Sequence, residues 1–239
     1  MSIRRERDGW VLDGKIKRVP FARYADEIVA LAILGQDTWI VRIPTERLRL
    51  EAGLNLAGEP RDDIILDALA VDAAAVAALP PPVTATSIKA RAALGRCFQM
   101  LGAMEGAMDL ARRYAGTRSQ FGRPLAQFQS IQNYLAEVAG EICAVGALVA
   151  LAVQAGDAEI IDIAAAAKIR TGQAARIVAQ RCHQIHGAIG LTHEYGLQLF
   201  TRRLWSWREE FGSEAYWADQ LGDRLVASGA ERLWETIAV

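Results

Sequence analysis

The run Arg112-Arg113-Tyr114-Ala115-Gly116-Thr117-Arg118-Ser119-Gln120-Phe121-Gly122-Arg123-Pro124 gathers four guanidiniums in one short stretch. A guanidinium is a planar fork of donors that matches a pair of phosphate oxygens. The same cations also suit a helix C-terminus, where orphan carbonyls and the negative dipole end attract positive charge. Residue type alone leaves both readings open. A second run, Gln184-Ile185-His186-Gly187-Ala188-Ile189-Gly190, closes a helical stretch. Gly187 and Gly190 permit a turn whose backbone approaches a ligand closely, and they equally suit a plain glycine-terminated helix. His183, His186 and His193 suggest metal ligation only if further ligands and outer-shell carboxylates join them, and histidines beside glycine turns are more often structural. A third run is Trp205-Ser206-Trp207-Arg208-Glu209-Glu210-Phe211. Its two tryptophans cannot share one helix face, so one is expected in the core and the other at an interface. Glu209 or Glu210 can act as a general base if buried with a raised pKa. Otherwise both are solvated, the usual state of glutamate.

Helices and turns must position these runs. The four stretches that read as helices begin after Leu79-Pro80-Pro81-Pro82, since consecutive prolines exclude a helix interior or a central strand. Thr86 or Ser87 is the expected N-cap. Leu94, Phe98, Leu101, Met104, Met108 and Ala111 keep a spacing of three to four, as do Ile131, Leu135, Val138, Ile142, Val145, Val149 and Val153. A third stretch runs from Ala158 to Ile185 and a last one from about Ser213 to Ile237. Four long helices with short connections predict a four-helix bundle. Gly95, Gly102, Gly106, Gly140 and Gly146 inside these helices point to close helix approach, within the chain or between chains. Before the prolines, Asp13-Gly14 between apolar runs predicts a hairpin. Strands are expected at Glu27–Leu34, Thr38–Ile43 and Asp63–Val71, with a loop at Gly53, Gly58 and Pro60. The fold class is therefore α+β and mainly α. A partial antiparallel β domain spans 1–78, a proline-rich linker 79–86 and a helical domain 87–239.

Composition narrows the function classes. The 239 residues carry 27 Lys+Arg against 28 Asp+Glu, a net charge of −1, which argues against a polynucleotide partner. The 52% hydrophobic content is incompatible with a disordered chain. Cys97, Cys143 and Cys182 are odd in number and irregularly spaced, so neither a disulfide framework nor a thiolate zinc site is expected, and a reducing, cytoplasmic setting fits. The arginine-rich N-terminus lacks the apolar stretch of a secretory signal. The longest uncharged apolar run, Ile142 to Gly156, is shorter than a membrane span and reads as a buried helix.

In order, these segments resemble the acyl-CoA dehydrogenase family. Arg118-Ser119-Gln120-Phe121-Gly122, Leu125, Phe128-Gln129, Gln132 and Leu135-Ala136-Glu137 are similar to one family segment. Gln184 to Gly190, Glu194-Tyr195 and Arg202-Arg203 are similar to another. Gly9 to Lys15 and Tyr24-Ala25-Asp26 resemble a strand and turn of its middle β domain. The resemblance implies FAD bound at a subunit interface and α,β-dehydrogenation of an acyl-CoA thioester. It implies that Arg118 pairs with the FAD pyrophosphate of a neighbouring subunit, with Phe121 beside it and Gln129 near the adenosine half. Gln184 and the Gly187-Ala188 backbone would line the pyrophosphate and adenine path.

The sequence also departs from the family. The N-terminal helical domain and the first β-domain strands have no counterpart in these 239 residues. The family's Trp-Ile-Thr, whose Thr faces the flavin, is replaced by Arg18-Val19-Pro20. The two positions where family members carry the base fall near Ala92 and at Gly212, leaving Glu209 and Glu210 as displaced candidates. The expectation is a subunit of a heteromer, like the degenerate subunits of enzymes of steroid side-chain breakdown, partnered by a homologous chain or by itself. The alternatives are a non-catalytic chain that completes an FAD site and a remnant that serves only association.

Overall fold

The computed structural model describes residues 1–7 and 9–229. The described chain divides into two compact units, Met1–Ile88 and the part from Lys89 onward. It is mainly helical, with one large sheet.

The first unit is a seven-stranded sheet in the order β5-β6-β2-β1-β3-β4-β7. The strands are β1 (Ser2–Glu6), β2 (Gly9–Pro20), β3 (Glu27–Leu34), β4 (Asp37–Pro44), β5 (Arg49–Glu51), β6 (Arg61–Val71) and β7 (Val76–Ala78). All pairings are antiparallel except a short parallel contact between β1 and β3. Trp10 on β2 and Trp39 on β4 bring their ring centroids within 4.9 Å. Three strand spacings, about 14 Å, separate those strands along a flat sheet, so the sheet must curl. Leu12, Val41, Ile43 and Ile64 fill its core.

Asp13-Gly14 is not a hairpin. Both residues lie inside the single long strand β2, and the hairpin joins β1 to β2, pairing Glu6 with Gly9. The Asp13 carboxylate instead accepts the Ala68 N–H at 2.8 Å, across a break in the β2–β6 register. A second break lies between Ile16 and Val19, where the Asp63 carboxylate accepts the Arg18 N–H at 2.8 Å. Ala68 (φ 47°) and Arg18 (φ 58°) take left-handed backbone at the two bulges. Each aspartate satisfies a ladder N–H that its bulge has left over. Sequence patterning cannot separate such a bulge from a turn, because both use Asp-Gly and interrupt an alternating run.

Asp62 is fully buried. It accepts from the Gly53 and Arg23 backbone N–H groups at 3.2 and 3.0 Å and from Arg23 Nε at 3.0 Å. The Arg23 guanidinium holds its carboxyl down at about 2. This network ties the start of β6 to the turn after β2. Because the folded pKa lies below the unfolded value near 4, stability from this group is present above pH 4 and lost as pH falls through 2. Arg23 is partly exposed, so solvent screening trims the contribution to an order of 1–2 kcal/mol. Asp62→Asn is expected to lower stability by about that amount at pH 7 and to flatten the acid limb of the unfolding profile. Urea denaturation followed between pH 2 and 7 checks this.

The second unit is built from α1 (Ala85–Thr117), α2 (Gln129–Gln154), α3 (Ile160–His186), α4 (Leu197–Trp207) and α5 (Glu214–Ser228). Among the described residues there are five α-helices rather than four, because the tryptophan motif lies on a helix of its own, α4. The expected extension of the last helix beyond residue 229 lies outside the described residues. The cap of α1 is Thr84, not Thr86 or Ser87. Thr84 Oγ1 accepts the Ser87 N–H at 3.0 Å and Ser87 Oγ accepts the Thr84 N–H at 2.9 Å, a reciprocal capping box.

The period of α1 is as expected: Leu94, Met104 and Ala111 are buried, and Leu101 and Met108 are partly buried against the core. Ala90, Ala93, Cys97, Met100, Met104, Ala107, Ala111 and Ala115 are buried, while Phe98 is exposed. Small side chains face the neighbouring helices, where the space is tight. Of the five helix glycines, only Gly106 shows close approach among the described residues, since a Cβ there would run into the Phe200 ring. Gly95, Gly102, Gly140 and Gly146 face open space.

The expectation that Ile142–Gly156 is buried holds on one side only. Val145, Val149 and Ala152 are buried, but Leu151 and Val153 are exposed. By length and composition α2 is the one described helix that could cross a membrane, and 22% of its most apolar window is buried. Yet Glu141 and Glu137 on α2 pair with Arg170 and Arg181 on α3, at 2.6 and 3.2 Å. These ion pairs fix it as a partner of α3.

Candidate functional site

The C-terminus of α1 hands over to a tight hairpin, β8 (Ser119–Gln120) and β9 (Arg123–Pro124). Phe121 (φ 52°) and Gly122 (φ 80°) form its corner, both in left-handed backbone. Phe121 is therefore thrust outward and 92% exposed, its ring edge-on to Phe128 at 6.2 Å. The four arginines of this region separate by their partners. Arg112 and Arg113 each pair with Asp109 at 3.0 Å. Arg123 lies over the Phe128 ring at 4.1 Å. Arg118 is exposed and has no ion pair among the described residues. Its backbone is fixed at both ends, since its N–H donates to Tyr114 O at 2.8 Å and its carbonyl accepts from Leu125 N–H at 2.9 Å. Ion pairing within α1 thus accounts for two of the cations, and Arg118 is left, among the described residues, with an unpaired guanidinium on a fixed main chain.

The other candidates gather at the same end of this unit. Gln129 opens α2 directly after the hairpin and donates to Asn133 at 3.0 Å. The ends of α1 and α3 meet where the Tyr114 and His186 rings stack at 4.8 Å and 24°. Arg181 near the end of α3 lies over Tyr134 near the start of α2 at 4.9 Å. Gln184, Gly187 and Ala188 are exposed beside these contacts. Gly187 takes φ 65°, and a Cβ there would meet nothing within 4 Å, so the main chain is open to a ligand. Arg118, Phe121, Gln129, Gln184, Gly187 and Ala188 thus belong to one end of one unit. This donor set of guanidinium, side-chain amides and accessible backbone, with an exposed aromatic ring, fits a dinucleotide with a charged pyrophosphate.

The third motif lies elsewhere and is closed. Trp207 is buried and Trp205 exposed, as their spacing requires. Glu210 pairs with the buried Arg96 at 2.6 Å, and Arg96 lies over the Trp207 and Phe211 rings. Glu209 is largely exposed. A carboxylate neutralised by a buried guanidinium is a poor base, and a solvated one lacks the dry pocket that holds a base against a substrate. At Gly212 (φ 106°) a Cβ would lie 2.6 Å from Tyr216 Cδ1 and 2.7 Å from Trp217 Nε1, so no side chain fits there. Gly172 is equally confined, by the Glu214 carboxylate.

Lys168 was not singled out from the sequence. Its ammonium is fully buried and donates to the Trp207 and Arg208 carbonyls, at 3.2 and 2.5 Å, closing the end of α4. The available signal was its register, since Ala164, Ala165, Ala167, Thr171 and Ala175 around it all face the core. Burial pushes its pKa down to about 8. An unfolded lysine keeps its proton to about 10.5, so between pH 8 and 10.5 the unfolded state binds more protons and stability rises with pH. The buried Cys182 thiol, pushed up to about 12, acts in the opposite sense over part of that range. The Lys168 effect is therefore read as a difference. The stability of wild type minus that of Lys168→Met should grow by up to about 3 kcal/mol from pH 8 to 10.5, measured by urea unfolding.

Residues 85–226 match the model of the acyl-CoA dehydrogenase C-terminal domain. The chain belongs to the acyl-CoA dehydrogenase family. It is 32% identical over 158 residues to the NADH-dependent acryloyl-CoA reductase of Anaerotignum propionicum, covering 64% of this chain and 40% of that one. It is 30% identical over 215 residues to a 3-(aryl)acrylate reductase of Clostridium sporogenes, covering 84% of this chain and 57% of that one. The ChsE4-ChsE5 complex of Mycobacterium tuberculosis contains a similar fold, with a TM-score of 0.85 at 18% identity over 94% of this chain and 62% of that chain. The chain therefore spans about half the length of the curated relatives named here.

Proposed function

We propose that this chain is a subunit of an FAD-dependent enzyme acting on the α,β carbon–carbon bond of an acyl-CoA thioester, and that its part is to hold the FAD pyrophosphate. The observation that carries this is the free guanidinium of Arg118 at the end of the helical unit that also presents Phe121, Gln129, Gln184, Gly187 and Ala188. Arg118 would bind the pyrophosphate oxygens, the Gly187-Ala188 main chain would allow close approach, and Phe121 would cover the ligand's flank. Bound FAD would supply the hydride acceptor. The relatives named above include reductases of acryloyl-CoA and an arylacrylate, so the reading covers either direction of the bond change. The helices would pack as the family's four-helix core.

We infer that the proton-abstracting carboxylate is not on the α4–α5 turn. Glu210 is ion-paired, Glu209 is solvated and Gly212 admits no side chain. A homologous partner would supply the base and cover the flavin. The apolar residues Leu151 and Val153 exposed on α2 favour association, and a related fold occurs in a complex named for two chains. The same exposed face supports the second reading, a chain that only completes an assembly.

Flavin absorbance of the chain, purified alone and mixed with a full-length homologue, decides between these readings. Flavin in neither preparation would overturn the enzyme reading, and flavin only in the mixture would support a shared site. Arg118→Ala is expected to lower flavin affinity about tenfold or more, the size of a lost charge-assisted hydrogen bond, with the helical circular dichroism unchanged.

A further inference from the structure

His186 is buried, yet it follows directly on the exposed Gln184 strip and precedes the open Gly187 turn. Its Nδ1 lies 2.6 Å from the Cys182 carbonyl, which can only accept, so Nδ1 carries the proton. Nε2 of the neutral ring is then an acceptor, and the Tyr195 hydroxyl donates to it at 3.2 Å. Burial pushes the His186 pKa below the ordinary imidazole value, which keeps the ring in this neutral form. The Tyr114 ring stacks on one face of His186, and Tyr195 lies tilted to it at 4.9 Å. Tyr195 also meets Tyr114 edge-on at 6.0 Å. The three rings come from the end of α1, the end of α3 and the segment before α4.

This cluster joins the two arms of the proposed pyrophosphate site. On one side the Tyr114 carbonyl receives the Arg118 N–H at 2.8 Å, so the position of the Tyr114 backbone sets that of Arg118. On the other, Gly187 follows His186 in the chain, and Gly190 folds back so tightly that a Cβ there would lie 2.9 Å from His186 Cβ. Aliphatic packing alone would leave a ring in this place free to rotate about its χ2 bond. Hydrogen bonds to the Cys182 carbonyl and from the Tyr195 hydroxyl, with the Leu110 backbone as a further partner, fix its orientation.

We infer that His186 is a positioning residue for the dinucleotide, holding Arg118 and the Gly187-Ala188 turn in register through Tyr114 and Tyr195. The inference rests on the FAD reading above. It assigns to His186 no contact with the ligand.

The test uses Tyr195→Phe, which deletes one oxygen and keeps the ring, with His186→Phe and His186→Gln beside it. FAD affinity is measured by quenching of flavin fluorescence, on the chain alone or with a homologous partner if flavin binds only in the mixture. Urea midpoints are recorded in parallel. Tyr195→Phe should weaken FAD binding about fivefold to tenfold, the size of one hydrogen bond. His186→Phe should weaken it more, and His186→Gln, which restores an acceptor to Tyr195, should recover part of the loss. In a double-mutant cycle, Tyr195→Phe should cost less in the Arg118→Ala background than in wild type, because one of the two arms it positions no longer carries a guanidinium. Unchanged affinity in Tyr195→Phe would overturn the inference while leaving the FAD reading intact. So would an affinity loss that merely follows the urea midpoint without recovery in His186→Gln. Wild type that binds no FAD under either condition would overturn both.

Discussion

A buried ammonium constrains the helical unit. Lys168 sits among alanines on the core face of α3, and an ammonium there must find hydrogen-bond acceptors or carry a heavy desolvation cost. The carbonyls at the end of α4 are those acceptors, and meeting them fixes where α4 stops. Once α4 stops there, the chain must reverse within a few residues to begin α5. That reversal requires the bare Gly212 beside Tyr216 and Trp217, and the bare Gly172 against Glu214. Arg96 then takes Glu210 as its counter-ion. Each step leaves less room and fewer free charges in the turn, and the carboxylate left over, Glu209, faces solvent.

The opposite holds at the end formed by Arg118 and the Gly187 turn. There one guanidinium, that of Arg118, is not consumed by an ion pair among the described residues. Arg112 and Arg113 share Asp109, and Arg181 has Glu137, so these two carboxylates are taken by other cations. The backbone on both sides of Arg118 is tied while its side chain is not. A fixed main chain with an uncommitted guanidinium suits recognition, because the ordering cost has been met before a ligand arrives.

How far the sequence was legible depends on the scale of the feature. Period and type were readable: β3 begins and ends at the expected residues, and α1, α2 and α3 lie where the apolar spacing put them. The Arg118 and Gln184 segments were legible as motifs, although their meeting at one end was not, since it depends on rings from three separate segments. Features decided by hydrogen bonds across a sheet were misread. Asp13-Gly14 has the composition of a turn, and only the Ala68 N–H on the neighbouring strand makes it a bulge. The exposure of Phe98 on α1 escaped for a related reason. Hydrophobicity ranks Phe98 above Ala93 or Ala107, whereas close helix packing selects the smaller residues. Lys168 was invisible because a charged residue reads as surface until its acceptors are known.

The sheet has one more consequence. Its long strands β2 and β6 lie inside, and it is bounded by two strands of three residues each, β5 and β7. So short an edge exposes few unpaired N–H and C=O groups and offers a poor template for another strand. Edge-to-edge joining of sheets, the route by which many β-rich chains aggregate, is therefore disfavoured from the outset. A chain bounded in this way can carry an exposed apolar helix for association without its sheet competing for the same encounters.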